Sequence, residues 1–196
     1  MIAVLRARAP HDYDHVLDVL AEGGVRFAEV TLSTPGTLDY LPTLVARGDL
    51  TVGVGTITTV AEAERAIDGG AAYLVTPVTV VPIVELAVSR GVPVFPGGLT
   101  PTELYAGWQA GASAVKIFPA QTVGAAFGKH LRGPFPDLQF VPSGGVGLND
   151  IPAWLAAGAL AVSVGGPLIG DALRGGDLDA LAARTHEVVA AAEGAR

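Results

Sequence analysis

Residues 73–98, YLVTPVTVVPIVELAVSRGVPVFPGG, contain one complete strand–helix–strand unit. An apolar run, YLVTPV, is followed by the amphipathic segment VPIVELAVSRG and then by a second apolar run, VPVFPGG. Continuous β-branched runs are typical of parallel strands that are buried on both faces. Gly91 is suited to end the helix, because the residue after a helix often adopts a positive φ. This stretch therefore predicts a parallel α/β fold.

The same unit recurs along the whole chain. Glycines end helical segments at positions 24, 70, 91, 111 and 158, at intervals of 46, 21, 20 and 47 residues, which are one or two units each. Strands are predicted at 2–7, 27–33, 51–57, 73–78, 92–98, 114–120, 139–146 and 161–168. Eight right-handed β/α units can close on themselves, so we expect one domain over residues 1–196, a single (β/α)8 TIM barrel. A doubly wound open sheet is the alternative, which lacks support because no G-x-G-x-x-G motif follows the first strand.

Composition excludes several classes of function. The 196 residues include no cysteine, which excludes disulfides, thiolate metal sites and cysteine nucleophiles. Twelve basic and nineteen acidic residues give a net charge of −7 with no basic stripe, so nucleic acid is not an expected partner. No apolar run reaches the ~18 residues of a membrane span, and MIAVLRARAP does not resemble a signal peptide. We expect a cytoplasmic protein, and its low charged fraction of 16% favours association between copies.

Two charged residues stand inside apolar strands. Lys116, one of two lysines, lies in AVKIFPA, whereas Lys129 lies in a polar helical segment. If Lys116 points into a barrel, burial disfavours its charged form, and a neutral amine can attack a carbonyl carbon. If it lies at a strand edge, its amine reaches water instead. Glu29 in FAEVTLS is either a general acid–base beside this lysine or a structural carboxylate in an ion pair or at an edge.

Other residues suggest an anion site. Arg6 ends the first strand and is either a surface arginine or a ligand for a phosphate or carboxylate. Ser143-Gly144-Gly145 and Gly165-Gly166 stand at the ends of the seventh and eighth predicted strands, where backbone N–H groups of barrels often hold phosphate. The four histidines do not cluster at strand ends, so we expect no metal, and no organic cofactor is implied.

A family resemblance rests on eight motifs in order: AEVTLST, GVGTI, TPVT, PVFPGGLTP, AVKIFPA, RGPFP, FVPSGGV and VGGPL. The chain resembles the KDPG/KHG aldolases, which act on 2-dehydro-3-deoxy-6-phosphogluconate and 4-hydroxy-2-oxoglutarate. The resemblance covers nearly the whole chain. It implies a metal-independent class I pyruvate aldolase on a (β/α)8 barrel, assembled as a homotrimer, with a small-molecule substrate.

The resemblance also implies roles for individual residues. Lys116 matches the Schiff-base lysine, Glu29 the acid–base, and Thr56 the threonine that binds the pyruvate carboxylate. Pro77 and Phe118 match pocket residues, and Gly144, Gly145, Gly165, Gly166 and Arg6 match a phosphate site. The chain departs from the family pattern at Ser33, where some members carry an arginine, and at Pro167, where a serine is common. Ser143 keeps the hydroxyl of its motif.

The expected reaction is reversible cleavage of a 2-keto-3-deoxy-6-phospho sugar acid to pyruvate and glyceraldehyde 3-phosphate. The phosphogalactonate epimer and unphosphorylated 4-hydroxy-2-oxoglutarate remain alternative substrates. A sugar-phosphate isomerase that uses Glu29 as its base, and a non-catalytic metabolite-binding barrel, remain alternative functions.

Overall fold

A computed structural model describes residues 1–194. Its strands are β1 (Ile2–Leu5), β2 (Phe27–Thr31), β3 (Thr51–Gly55), β4 (Leu74–Val75), β5 (Val94–Phe95), β6 (Gly97–Gly98), β7 (Val115–Ile117), β8 (Phe140–Pro142) and β9 (Ser163–Val164). Its α-helices are α1 (Tyr13–Glu22), α2 (Thr37–Ala46), α3 (Val60–Asp68), α4 (Val81–Ser89), α5 (Pro101–Gln109), α6 (Ala126–Arg132), α7 (Ile151–Ala156), α8 (Gly166–Ile169) and α9 (Leu178–Gly194). The predicted alternation of strands and helices is therefore present.

The strands form two parallel sheets, so the predicted closed eight-stranded (β/α)8 TIM barrel is wrong. One sheet has the order β5-β4-β3-β2-β1-β9, and the other has the order β6-β7-β8. The first break falls within the predicted strand 92–98, where Pro96 separates β5, which pairs with β4, from β6, which pairs with β7. Proline has no N–H to donate to a ladder, and this strand changes its partner at that residue.

The second break lies between β8 and β9 and also involves a proline. Directly before and after β8, the carbonyl of Gln139 and the N–H of Ser143 bond to β7, so the backbone groups of Phe140 and Pro142 point away from β7. The carbonyl of Phe140 accepts a bond of 2.9 Å from the N–H of Leu160. Pro142 has no N–H for the next bond of that ladder. The two sheets therefore do not close into one.

The strands separate two apolar regions. The outer core lies between the sheets and the helices and includes Val115 and Ile117 of β7. The inner cluster, on the opposite faces of the strands, consists of Ile2, Tyr73, Val75, Ala114 and Val141, with Phe95 and Ala161 packed against it. Successive residues of a strand point to opposite faces, so one strand supplies both regions. The carboxyl ends of β1, β2 and β7 continue beyond the inner cluster toward the site described below.

Several helices begin with strong local signals. In α3 and α5 a threonine hydroxyl accepts from the backbone N–H of a glutamate three residues on, and that glutamate accepts from the threonine N–H. This reciprocal capping fixes where each helix starts. Within residues 1–194, no helix combines the length and the hydrophobicity that crossing a bilayer requires.

Candidate active site

A cavity of 280 Å³ opens where the carboxyl ends of both sheets meet. Eleven of the twelve predicted site residues line it: Arg6, Glu29, Thr56, Pro77, Lys116, Phe118, Ser143, Gly144, Gly145, Gly165 and Gly166. The twelfth, Ser33, does not line the cavity but bonds to Arg6, which does. Residues that are far apart in sequence therefore meet at the end of the sheets where α/β proteins commonly bind ligands.

Lys116 and Glu29 form a buried pair inside this cavity. Lys116 Nζ lies 3.9 Å from Glu29 Oε1, and the two side chains are 9% and 1% exposed. The amine also lies 5.1 Å from the centre of the Phe118 ring. Lys116 is on β7 and Glu29 is on β2, so the pair joins the two sheets across the cavity. The strand-edge interpretation of both residues is excluded by this burial.

Space for the Glu29 carboxyl group depends on glycine in β3. Glu29 pairs in register with Gly53, and its carboxyl group lies against Gly55, where a Cβ atom would collide with Oε1. Burial raises the pKa of Glu29 above its ordinary value of 4.5, and the positive charges of Lys116 and Arg6 oppose that rise. A carboxyl group with a raised pKa can exchange protons closer to neutral pH, which suits acid–base chemistry.

Thr56 directly follows β3 in a backbone conformation that is unusual for a threonine. Its φ is +62°, the only positive φ of a non-glycine residue within residues 1–194. This region is unfavourable for a β-branched residue and costs on the order of 1–3 kcal/mol. The neighbouring backbone is fixed by a bond of 2.9 Å from Leu32 N–H to the Gly55 carbonyl. The strain is therefore held in place at a residue that lines the cavity.

Arg6 is oriented by a chain of hydrogen bonds. Thr31 Oγ1 donates to the Leu5 carbonyl at 3.0 Å, so its own oxygen is left to accept from Ser33 Oγ at 2.8 Å. Ser33 Oγ in turn accepts from Arg6 Nε at 2.8 Å. The chain uses the Nε of the guanidinium group, and no carboxylate within residues 1–194 pairs with Arg6. Its terminal nitrogens are therefore available to an anion.

Two glycine-rich loops form another side of the cavity. Gly144 and Gly145 follow β8 with φ of +85° and +72°, and a Cβ on Gly144 would contact the Phe118 ring. Gly165 and Gly166 follow β9, and nothing lies within 4 Å of the Cβ position of Gly166. Within residues 1–194, the backbone N–H groups of these four glycines donate no hydrogen bond. These N–H groups are therefore free to bind an anion.

Sequence reasoning missed some residues of this region. Val4 and Thr31 also line the cavity, as does Pro167, which the sequence singled out only as a departure from the family pattern. Thr31 could have been predicted from the sequence, since it lies two residues from Glu29 on the same strand face. Tyr73 was missed because an aromatic residue at the start of an apolar run is typical of a core. Within residues 1–194, no group of three or more histidine, aspartate or glutamate side chains is arranged to hold a metal ion.

The fold and the site define a class of protein. A buried lysine amine beside a buried carboxyl group, in a cavity with a cation and free N–H groups, is suited to Schiff-base chemistry on an anionic carbonyl compound. This arrangement is typical of enzymes that use a lysine amine as the nucleophile.

Comparison with known proteins gives the family. The family model described as "KDPG and KHG aldolase" matches residues 1–184. The probable 2-dehydro-3-deoxy-6-phosphogalactonate aldolase of Rhizobium meliloti is 32% identical over 91% of this chain and 85% of its own length. The 2-dehydro-3-deoxy-phosphogluconate aldolase of Dickeya dadantii is 33% identical over 88% of this chain and 83% of its own.

One solved structure bears on the chemistry. KDPG aldolase from Legionella pneumophila, with pyruvate captured as a covalent carbinolamine intermediate, is 25% identical with a TM-score of 0.88, and the match covers 95% of this chain and 92% of that one. This chain belongs to the KDPG and KHG aldolase family. It is a class I aldolase and hence a carbon–carbon lyase, which confirms the predicted enzyme class.

Proposed function

We propose that this aldolase reversibly cleaves a 2-keto-3-deoxy-6-phospho sugar acid to pyruvate and glyceraldehyde 3-phosphate. The observation that carries the proposal is the buried pair of Lys116 Nζ and Glu29 Oε1, 3.9 Å apart in a cavity of 280 Å³. The names of the relatives from R. meliloti and D. dadantii support the same substrate class.

The reaction begins when the neutral amine of Lys116 attacks the C2 carbonyl carbon and forms a carbinolamine. Glu29 supplies the proton with which the C2 hydroxyl leaves as water, and a positively charged iminium remains on Lys116. Burial raises the pKa of Glu29, so this carboxyl group can both give and take a proton during the cycle. The low exposure of the pair limits competition from bulk water.

Cleavage follows from the iminium. Glu29, now ionised, accepts the proton of the C4 hydroxyl through a water molecule, and the electrons of the C3–C4 bond pass into the iminium. The C4 fragment leaves as the aldehyde, and an enamine remains on Lys116. Protonation of the enamine at C3 regenerates an iminium, and water hydrolyses it to release pyruvate and free Lys116.

The rest of the cavity would hold the two charged ends of the substrate. We assign the carboxylate to Thr56, which lies at the end of β3 near Glu29. We assign the phosphate to Arg6 and the glycines at 144, 145, 165 and 166, because β1 pairs with β9 and these residues follow β1, β8 and β9. Ser143, Pro77 and Phe118 would pack along the carbon chain between these ends.

We also propose that the protein is a cytoplasmic homotrimer. Several large apolar side chains are exposed, among them Val78, Val81, Val88 and Leu160. Together with the charged fraction of 16%, they favour burial between copies. A phosphorylated substrate is charged and does not cross membranes, which supports the cytoplasm. Light scattering after size exclusion should give three times the chain mass, and a monomer would contradict the assembly.

Trapping with borohydride tests the chemistry. Incubation with pyruvate and sodium borohydride should reduce the iminium and leave a stable adduct on Lys116, located by peptide mass spectrometry. Lys116→Ala should give no adduct, and Lys129→Ala should give the adduct of the unaltered protein, because Lys129 is exposed on α6. An unaltered protein that gains no adduct would overturn the proposed Schiff base.

Pyruvate release tests the substrate. The assay compares the phosphogluconate-derived acid, its phosphogalactonate epimer and unphosphorylated 4-hydroxy-2-oxoglutarate at equal concentrations. We expect the highest kcat/KM with a phosphorylated acid, because a phosphate offers Arg6 and the free N–H groups more charge and more acceptor oxygens than the second carboxylate of the unphosphorylated acid. Equal kcat/KM for all three would contradict the phosphate assignment.

A further inference from the structure

Tyr73 brings a polar atom into the inner cluster below the proposed site. The residue is 4% exposed, lies just before β4 and packs its ring 5.6 Å from the Phe95 ring. Space for the ring depends on Gly53, where a Cβ atom would collide with it. Its hydroxyl oxygen has no hydrogen-bond partner within residues 1–194. An aromatic ring alone would fill this space equally well, so the hydroxyl group needs an explanation.

Glu29 is the neighbour of Tyr73 in this interior. The Tyr73 ring lies on Gly53 and the Glu29 carboxyl group lies on Gly55, two residues further along the same face of β3. Residues two apart on a strand are ~7 Å apart, so the two side chains occupy adjacent positions. Burial, followed by the negative charge of Glu29, raises the pKa of Tyr73 well above its ordinary value, and the nearby Gly53 backbone, which is not in hydrogen-bond geometry, opposes this only weakly.

Glu29 also has one oxygen atom without a partner. Oε1 lies 3.9 Å from Lys116 Nζ, whereas Oε2 is buried and bonds to nothing within residues 1–194. A buried carboxylate oxygen without a donor is costly, and so is a buried hydroxyl without an acceptor. A single buried water molecule commonly joins such groups, because it can donate to one and accept from the other.

We propose that Tyr73 is a positioning residue for Glu29: its hydroxyl donates to a buried water molecule, which donates to Glu29 Oε2 and so keeps Oε1 directed at Lys116. This contact would serve the acid–base role that Glu29 has in the proposed function. Two observations support the contact. Tyr73 Oη and Glu29 Oε2 both lack a partner within residues 1–194, and Gly53 and Gly55 leave the space that the two side chains occupy. Tyr73 would touch no substrate.

Loss of the Tyr73 hydroxyl should change the protonation of Glu29. A hydrogen bond to a carboxylate favours its charged form, so loss of the Tyr73 hydroxyl should raise the pKa of Glu29 further. The charged groups that act on Glu29 are Lys116 from β7 and Arg6 from the end of β1, and the one that acts on Tyr73 is Glu29. Both cations stay in place when only the hydroxyl is removed.

Carbon NMR of protein labelled at the glutamate carboxyl carbon tests this directly. The Glu29 resonance is assigned by its loss in Glu29→Gln. We expect its titration midpoint to rise by about one pH unit in Tyr73→Phe, which is a tenfold change in proton affinity. Tyr105→Phe is the matched control, since Tyr105 is an exposed tyrosine stacked on Phe135, and it should leave the midpoint unchanged. An unchanged midpoint in Tyr73→Phe would overturn the proposal.

Two further measurements keep the test decisive. A crystal structure of the unaltered protein should contain a water molecule within hydrogen-bond distance of both Tyr73 Oη and Glu29 Oε2, and its absence would overturn the proposal even if Tyr73→Phe did not fold. In steady-state kinetics, the limb of the kcat–pH profile that Glu29→Gln abolishes should move to higher pH in Tyr73→Phe, and the change should add nothing to Glu29→Gln. If the unaltered protein releases no pyruvate, the proposed function fails, while the NMR titration still decides the role of Tyr73.

Discussion

The two faces of the same strands differ in composition and in what they do. Val115 and Ile117 of β7 pack into the outer core, while Lys116 between them reaches the cavity. On β2, Ala28 and Val30 are in the outer core, and Glu29 between them is the carboxyl group of the buried pair. Adjacent residues of one strand therefore belong to different regions, since one packs into the outer core and the next reaches the cavity.

This difference predicts how substitutions should behave. Burial of apolar area stabilises the folded state in proportion to area, so the outer core supplies stability. The inner face carries the buried polar pair of Lys116 and Glu29, whose burial costs free energy and which we propose to be catalytic. Changes on the inner face should therefore reduce activity in a protein that stays folded, and changes in the outer core should reduce stability in a protein that stays active.

The largest expected effect is on the inner face. Lys116→Ala removes the nucleophile, and we expect kcat for pyruvate release to fall by about 10⁴–10⁶-fold, the scale on which covalent nucleophiles contribute. Lys129→Ala removes the other lysine, which is exposed, and should keep full activity. Melting temperature should change little in either variant. Substantial residual turnover in Lys116→Ala would contradict covalent catalysis at this residue.

The outer core should give the opposite result. Leu41 on α2 is fully buried, and Leu41→Ala should lower the free energy of unfolding by about 2–5 kcal/mol through lost contacts and a cavity. Urea denaturation gives this value, and kcat is measured at a temperature where the variant is folded. We expect kcat to stay within about twofold of the unaltered protein. A large loss of kcat in folded protein would show that the two regions are not separable in this way.

Gly55 leaves the space that the Glu29 carboxyl group occupies. A Cβ at this position would collide with the Glu29 carboxyl group, so Gly55→Ala should displace that group from Lys116. A misplacement of about 1 Å can cost about 10²-fold in rate, and we expect a loss of kcat on this scale. Gly194→Ala is the control, because nothing lies within 4 Å of its Cβ position. Unchanged kcat in Gly55→Ala would mean that Glu29 does not need this position.

The sequence predicts the inner face well where strand periodicity is regular. Lone charges in apolar runs identify Lys116 and Glu29, and alternation places each of them on the face opposite its apolar neighbours. The prediction of a closed barrel was wrong. Closure depends on which strands lie beside Pro96 and Pro142, and the tertiary fold alone decides this pairing. Ser33 was expected in the cavity. It lies beyond the end of β2 at Thr31, where alternation no longer applies, and reaches the cavity only through Arg6.

The raised pKa of Glu29 predicts a contribution of the inner face to the pH dependence of stability. The folded protein keeps this proton in a pH range where the unfolded chain has lost it. The contribution to stability is therefore fully present below about pH 4.5 and is lost as the pH rises through the pKa of the folded state. Glutamine cannot lose a proton, so Glu29→Gln should gain stability relative to the unaltered protein as the pH rises.

Denaturant titrations at several pH values measure this difference. Glu64→Gln, an exposed glutamate on α3, is the matched control and should give a nearly constant difference from the unaltered protein. Asp49, Glu62 and Glu103 have lowered pKa values and act in the opposite direction, but they are present in all three proteins. A constant difference between Glu29→Gln and the unaltered protein would contradict the effect of burial on Glu29.

The smallest expected effect concerns the rim of the cavity, where the inner face meets solvent. Ser33→Ala removes the acceptor of the 2.8 Å bond from Arg6 Nε and leaves the arginine less well oriented. Because both residues are exposed, the bond contributes only about 0.5–1.5 kcal/mol, which corresponds to a two- to tenfold rise in KM for the phosphorylated substrate. Since Arg6 is assigned to the phosphate, kcat and the KM for pyruvate in the reverse reaction should not change.

Ser89→Ala is the matched control for this variant. Ser89 is an exposed serine on α4 whose hydroxyl donates to the Leu86 carbonyl, and its loss should leave both KM values unchanged. An equal rise of KM for the phosphorylated substrate and for pyruvate in Ser33→Ala would instead assign Arg6 to the carboxylate that both share. That result would move the cation of the site from the phosphate end to the pyruvate end, beside Thr56, and would make Arg6 the replacement for the arginine that other family members carry at the position of Ser33.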